Sequence, residues 1–271
     1  MRRSGADNLP TRMKVLLVAA LAVAAVAVVV MLPPFAQPLS YHDFADRRTL
    51  LGIPNTLDVV SNAGFAAAGV LGLLFLARRR ETGPGSPFLE RWEWGAFTVL
   101  YAAVGLTAVG SVYYHLNPNN GTLLLDRLPM AVVFMSVLSL IIGERISMRA
   151  GRRLFLPLLA AGVASVVYWR YTEAIGKGDV RFYGLVQYLP VLLIPLILLL
   201  FPARYTRSAD LVVALSWYVV AKVFEVFDAR VFEATKLVSG HTLKHVAAAL
   251  AALWLLRMVS LRRPLASPGQ A

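Results

Sequence analysis

The segment "GSVYYHLNPNNGTLLLDRLP", residues 110–129, places a serine, a histidine and an aspartate around a short polar loop between two long apolar runs. Ser111 and His115 are four residues apart, so they share one face of a helix. The loop "NPNNGT" is rich in turn-forming residues, so the chain reverses there and Asp126 starts the next helix. We therefore expect Ser111, His115 and Asp126 to meet at one end of two adjacent antiparallel helices.

The composition of the chain around this segment is that of a membrane protein. Of its 271 residues, 58% are hydrophobic and only 15% are charged. A bilayer core of about 30 Å needs roughly 20 apolar residues per helix. The sequence contains eight such segments, near residues 13–34, 57–77, 93–115, 122–143, 153–170, 181–201, 210–228 and 240–258. They predict an all-α, polytopic bundle: a seven-helix core preceded by one extra N-terminal segment.

The extra segment suggests a division of the chain into three parts. Residues 1–36 form an N-terminus with the additional apolar helix, residues 37–260 the seven-helix domain, and residues 261–271 a tail. The first helix follows four basic residues, as a signal peptide would. Its apolar run is longer than the roughly 7–15 residues of a typical signal core, which favours an uncleaved anchor.

The basic residues of the chain predict its orientation. The net charge of +12 does not indicate nucleic-acid binding, because Lys and Arg stand in short clusters between apolar spans. Most of them fall on the side of the N-terminus, for example Arg78–Arg80 and Arg152–Arg153, which predicts that both termini are cytoplasmic. The expected location is the inner membrane of a bacterial cell, with His115 on the non-cytoplasmic face. There are no cysteines, which excludes disulfides and thiolate ligands.

The last span adds two more histidines at the same end of the bundle. His241 and His245 stand at i and i+4 in "SGHTLKH" and therefore share a helix face. Three neutral imidazoles are the ligand set of a catalytic zinc ion, because they leave a fourth position for water. Asp126 is then a candidate general base, and Ser111 a candidate hydrogen-bond donor to an oxyanion. The alternative is that these are ordinary polar groups at helix ends, bonded to headgroups or to each other.

The same residues carry a resemblance to a known family. The order "SVYYH", an aspartate eleven residues after that histidine, and "HTLKH" resembles the alkaline ceramidases, and "NTLDVVSNAGF" at 55–65 is similar to the start of their first span. The resemblance extends from about residue 41 to 258. It implies a zinc amidase that cleaves ceramide-type membrane lipids to a fatty acid and a sphingoid base. Related lipid hydrolases and seven-helix receptors share these elements, so an ester or phospholipid acyl hydrolase and a non-catalytic lipid receptor or transporter remain alternatives.

The resemblance also implies a calcium site in the acidic segment before the first shared span. The matching stretch is "HDFADRRTLLGIPN", where Asp43 and Asp46 supply carboxylates and Asn55 stands in place of a further one. Calcium takes six to eight oxygen ligands, whereas Arg47 and Arg48 occupy positions where more oxygens are expected. An ion-paired loop, in which the two aspartates neutralise the two arginines, is the open alternative.

The seventh span carries the stripe "AKVFEVFD". Lys222, Glu225 and Asp228 follow one another at intervals of three residues, so they lie on one side of a helix. A Lys222–Glu225 ion pair is the favoured interpretation, and a hydrated route to the metal is the alternative. Nearby aromatic residues, including Tyr114 and Tyr218, are expected in the membrane interface.

Overall fold

The computed structural model describes residues 9–265, and within them the chain is α-helical, without a β-strand. A short 3-10 helix, Leu39–His42, precedes α2. The ten α-helices are α1 (Thr11–Met31), α2 (Thr56–Ser61), α3 (Ala63–Arg78), α4 (Arg91–Leu116), α5 (Asn120–Arg145), α6 (Met148–Ala174), α7 (Arg181–Leu200), α8 (Ser208–Val226), α9 (Asp228–Thr235) and α10 (Gly240–Leu261).

Seven helical segments in the described part of the chain are long and apolar enough to cross a membrane, and α2 and α3 count together as one of them. The chain is therefore an all-α polytopic bundle, as the hydropathy pattern predicts. The predicted span at 210–228 corresponds to α8, which is not among the seven. Three charged residues, Asp210, Lys222 and Glu225, interrupt its apolar sequence. Residues 1–8, which include Arg2 and Arg3, and residues 266–271 of the predicted tail lie outside the described part.

The first helix stands at the side of the bundle. Only Val18 of α1 is buried, and α1 packs against α7. At the end of α1, the Arg181 guanidinium donates hydrogen bonds to backbone carbonyls of Val29 and Leu32. A cation at a helix C-terminus interacts favourably with the helix dipole. This arrangement is compatible with the predicted extra helix, while the three-part division of the chain stays a prediction.

The central helices approach one another closely at glycines. At Gly110 of α4, an added Cβ would stand 2.1 Å from the carbonyl oxygen of Leu125 in α5. Gly143 of α5 and Gly151 of α6 meet in the same way, with 2.5 Å between the Cβ built on Gly151 and the Cα of Gly143. Small residues permit such backbone contact in helix bundles of membranes. Gly110 matters for the site described below, because it brings the start of α5 against the end of α4.

The end of the bundle near Glu93 is held by a buried polar network. Arg262, just after α10, forms salt bridges with Glu93 of α4 and Glu144 of α5, and its guanidinium stacks on the Tyr205 ring. Tyr205 in turn donates a hydrogen bond to Glu93. These buried charges are paired, as burial requires. The network fixes α4, α5 and α10 relative to each other at the end opposite to His115.

Candidate metal centre

Three histidines converge at the other end of the bundle, as their spacing predicts. His115 ends α4, and His241 and His245 occupy the first turns of α10. Their rings stand 4.8 to 4.9 Å apart between centroids, and one nitrogen from each lies within 4.8 Å of the others. All three side chains are buried. This histidine triad could hold a metal ion.

The hydrogen bonding of the triad supports that assignment. His115 Nδ1 and His241 Nε2 are buried and have no hydrogen-bond partner among the described residues. Buried polar atoms normally find a partner, so unsatisfied ring nitrogens within one histidine cluster need an explanation. A cation bound between them provides one, because imidazole nitrogens are good ligands for metals of intermediate softness. The donor set therefore fits a metal ion.

The third histidine is oriented by a serine on α2. Ser61 Oγ lies 2.8 Å from His245 Nδ1 and donates its own proton to the carbonyl of Asp58 at 3.0 Å. The serine oxygen therefore accepts from His245, which places the imidazole proton on Nδ1 and leaves Nε2 unprotonated for a metal. A partner of this kind fixes both the tautomer and the ring orientation of a ligand.

Two carboxylates anchor the start of α10 and so position His241 and His245. Asp58 Oδ1 accepts hydrogen bonds from the hydroxyls of Thr242 at 2.6 Å and Ser239 at 3.2 Å. Asp228 Oδ1 accepts from the backbone N–H of His241 at 2.7 Å. Sequence reasoning did not assign roles to Asp58 or Ser61. The available signal was their presence within an apolar span, where polar groups are costly.

Ser111 and Asp126 lie side by side near the triad. The close approach of α5 to Gly110 brings Asp126 next to the neighbouring Ser111, whose side chain is buried and faces the carboxylate. Asp126 forms no salt bridge among the described residues. The two predicted site residues are therefore brought together at the end of α4, as the turn between α4 and α5 predicts.

A cavity of about 190 Å³ begins at the metal centre and extends into the bundle. Asp126 and His245 line it at one end, and Ile141 and Leu255 line it further along. Asp126 and Ile141 are fifteen positions apart, which corresponds to about 22 Å of helix. The walls are mostly apolar and come from α4, α5, α7, α8 and α10. The shape is that of a channel for an apolar chain, with the charged groups of the lining at the end near the triad.

The charged stripe of α8 faces this cavity. Lys222 and Glu225 form the predicted ion pair, and Lys244 of α10 lies 3.1 Å from the second Glu225 oxygen. Tyr41 also donates to Glu225, at 3.4 Å, and burial raises the pKa of this tyrosine above its usual value. Asp228 does not join the pair; it starts α9 and holds α10 instead. Sequence reasoning missed Lys244, although it stands between two predicted ligands.

The acidic segment before α2 forms ion pairs. Asp43 pairs with Arg47 at 2.7 Å, and Asp46 pairs with Arg48, also at 2.7 Å. Hydrogen bonds from Arg48 hold the pKa of Asp46 below its usual value. Asn55 donates to the carbonyl of His115 at 2.8 Å. The arrangement is that of the ion-paired loop, and a calcium site at Asp43, Asp46 and Asn55 stays a prediction.

The same segment covers the triad with an aromatic ring. Phe44 is buried, with its ring centroid 4.6 Å from those of His115 and His241. The fourth histidine, His42, is near the triad but bonds the Tyr114 hydroxyl at 2.8 Å instead of joining it. Tyr114 is buried, so the interfacial position expected for this residue is wrong. Tyr218 lines the cavity. Phe44 lies between the triad and the surface of the protein. The cavity is then the route by which a ligand reaches the triad.

The fold and site together define a class: a multi-pass α-helical membrane protein with a buried three-histidine centre at one end of the bundle. In comparison with known proteins, no family model matches the chain and no curated protein matches it. The resemblance to the alkaline ceramidases therefore rests on the residues quoted above.

Proposed function

We propose that this protein is a zinc-dependent hydrolase that cleaves the amide bond of a ceramide-type lipid within the membrane. The observation that carries the proposal is the position of the histidine triad, which lies at the polar end of a long apolar cavity next to Ser111 and Asp126. An acyl chain can occupy such a cavity while its carbonyl reaches the triad.

Zinc would be held by His115, His241 and His245, and when bound it supplies Lewis-acid chemistry to water and to a carbonyl. Neutral nitrogen ligands suit zinc, and in a chain without cysteine the protein donors open to it are histidine nitrogens and carboxylate oxygens. Ser61 and Asp58 keep the α10 ligands in place.

Asp126 and Ser111 supply the remaining functions. Asp126 accepts a proton from the attacking water and passes one to the leaving amine, so its carboxylate is ionised again at the end of the cycle. Ser111 donates a hydrogen bond to the oxygen that becomes negatively charged when the carbonyl is attacked. The carbon–nitrogen bond breaks, a carbon–oxygen bond forms, and the products are a fatty acid and an amine, here a sphingoid base.

A lipid could enter the cavity from the side. Helix α8 packs extensively against α10 but makes few contacts with α7, although both helices line the cavity. The seam between α7 and α8 therefore connects the apolar interior of the bundle with the lipid. Under the predicted orientation, this entrance faces the outer leaflet of a bacterial inner membrane.

Hydrolysis by the purified protein tests the proposal. Ceramide and a phospholipid with the same acyl chain are presented in detergent micelles, with and without a zinc chelator, and fatty acid release is measured. The expected result is cleavage of ceramide that stops on chelation and returns with zinc. Cleavage of the phospholipid instead would establish the acyl-hydrolase alternative. Zinc binding without any hydrolysis would contradict an enzymatic role and favour a lipid receptor or transporter.

A further inference from the structure

Two lysines on the cavity wall share one carboxylate. Lys222 and Lys244 both pair with Glu225, and neither forms another salt bridge among the described residues. An ammonium group has three N–H donors, so each lysine keeps donors available after bonding Glu225. Lys222, Lys244 and Glu225 together therefore carry a net charge of +1.

Asp126 is the other charged residue on the cavity wall, and it has a separate role in the proposed proton transfers. Its neighbour Arg127, which is not among the residues that line the cavity, is a buried cation that stacks between Trp169 and Tyr183. Arg127 forms no salt bridge in the described part of the chain and one of its nitrogens, Nη1, has no partner.

Each lysine makes one hydrogen bond to a described residue, Glu225, so further N–H donors of both remain on the cavity wall near the triad. In a medium of low dielectric constant, donors of a charged group that lack a partner are costly, and a bound anion would satisfy them.

The position of the lysines suits the headgroup of a lipid. Lys222 is four residues before the end of α8 at Val226, and Lys244 is four residues after the start of α10 at Gly240. Each therefore stands about 6 Å from its helix end, at the depth of the triad. Lys244 also lies between His241 and His245 in sequence and lines the same cavity as His245. A group bound by these lysines would be adjacent to the scissile bond.

The geometry points to a substrate whose headgroup carries an oxyanion, a carboxylate or a phosphate, within a few bonds of the scissile amide, with Lys244 and Lys222 as its binding residues. This inference names the substrate class of the proposed hydrolase and rests on that function for the reaction, although the anion site itself can be tested by binding alone. Charge-assisted hydrogen bonds are stronger than neutral ones, so a headgroup with hydroxyls only would bind less tightly. The lysines transfer no proton; the bond changes are those of amide hydrolysis.

Equilibrium binding to the zinc-loaded, full-length protein provides the first test. The probes are hexadecyl phosphate and hexadecanol, which have the same chain and no scissile bond. The expected result is about 10- to 100-fold tighter binding of the phosphate, and loss of most of this preference in Lys244→Met. That variant leaves Glu225 with Lys222 and Tyr41 as partners, so it should fold. Lys177→Met, which removes a charge from the exposed loop between α6 and α7, is the matched control and should keep the preference.

Hydrolysis provides the second test and distinguishes a carboxylate headgroup from a phosphate headgroup. N-palmitoylglycine is compared with the neutral N-palmitoylglycinamide, and ceramide 1-phosphate with ceramide. We expect the charged member of at least one pair to have the lower KM, and Lys244→Met to raise the KM of that charged substrate more than the KM of its neutral counterpart.

Three outcomes would overturn the inference. They are equal binding of both probes by the parent protein, a preference that survives in Lys244→Met, and an equal loss for charged and neutral ligands. The last would mean that Lys244 acts on Asp126 or Glu225 and not on the ligand. Anion-selective binding without hydrolysis would contradict the proposed reaction but not the anion site.

Discussion

At the scale of single residues, the site is defined by nitrogens that lack a protein partner. Ser61 occupies one ring nitrogen of His245, whereas His115 Nδ1 and His241 Nε2 are buried and unsatisfied within the described residues. The fourth histidine, His42, lies nearby but has both ring nitrogens bonded, one to Tyr114 and one to Asn120. Hydrogen bonding therefore distinguishes the histidines of the triad from the neighbouring His42 more clearly than distance does.

That difference predicts which histidines control metal content. His241→Ala and His245→Ala should each remove most of the metal, because two of three protein ligands bind far less tightly than three. His42→Ala should retain it, since His42 is already satisfied by protein partners. Metal analysis of the detergent-purified proteins measures the effect. The parent protein should contain about one zinc per chain. Full zinc in both triad variants would refute the ligand assignment.

The Asp126 carboxylate is predicted to act on protons and not to bind the metal. Asp126→Asn should keep the zinc content and lower the hydrolysis rate by about 10²–10⁴-fold, which is the usual effect of removing a general base. The measurement is kcat together with metal analysis of the same preparation. If zinc and activity disappear together, Asp126 is a ligand, and the water must be activated by another group.

At the scale of the elements, the site depends on how closely α4 and α5 approach. The start of α5 reaches Ser111 only because Gly110 has no side chain, and the carbonyl of Leu125 occupies the space where a Cβ would stand. The loop before α2 adds a second layer, since Phe44 lies on the triad and Asp46 is tied to Arg48.

Gly110→Ala should therefore separate the two helices. Backbone atoms cannot move away as a flexible side chain can, so we expect a lower melting temperature and a loss of activity greater than the loss of zinc. Gly95→Ala on the same helix is the matched control, because nothing lies within 4 Å of its added Cβ. Alanine is the better helix former, so the control should be neutral or slightly more stable. Equal behaviour of the two variants would contradict the role of the close contact.

The loop before α2 should respond to acid through Asp46. Its pKa is lowered by hydrogen bonds from Arg48, so the ionised carboxylate stabilises the folded state above the usual value of 3.8. This contribution disappears as the pH falls through the lower folded-state value. Asp46→Asn should therefore melt a few degrees below the parent at neutral pH, with the difference shrinking below pH ~4. Asp43→Asn, at an exposed ion pair, should change little.

The same melting experiment tests the calcium hypothesis. A ligand that binds only the folded protein raises the melting temperature as its concentration increases. If calcium raises it in the parent and not in Asp43→Ala or Asp46→Ala, with zinc content unchanged, the loop is a calcium site. A parent protein indifferent to calcium would leave the ion pairs as the complete account of this loop.

At the scale of the whole molecule, charge and hydropathy predict one orientation for the bundle. The triad lies at the end that carries few basic residues, and the Arg262 network with its neighbouring arginines lies at the other. The excess of basic residues at the second end predicts that this end is cytoplasmic.

Labelling tests this orientation in the cysteine-free chain. Single cysteines at Asn117 and Lys236, near the triad, should react with an impermeant thiol reagent added to intact cells. A cysteine at Thr82, in the loop between α3 and α4, should react only after the membrane is opened. All three positions are exposed, so burial does not confound the result. The opposite labelling pattern would invert the topology.

The sequence by itself determined the helices and the identity of the triad. Apolar runs matched to the thickness of a bilayer specify spans because each helix satisfies its backbone hydrogen bonds internally. The i, i+4 spacings of Ser111–His115 and His241–His245 specify shared faces for the same local reason.

Only the tertiary structure decided which distant groups support the site. The contacts of His245 with Ser61 and of Thr242 with Asp58 each join residues 184 positions apart. They depend on the rotation and separation of packed helices, which close contacts such as Gly110 against Leu125 fix. The same applies to the cavity and to Lys244 beside Glu225, since no local pattern records which side chains meet across a bundle.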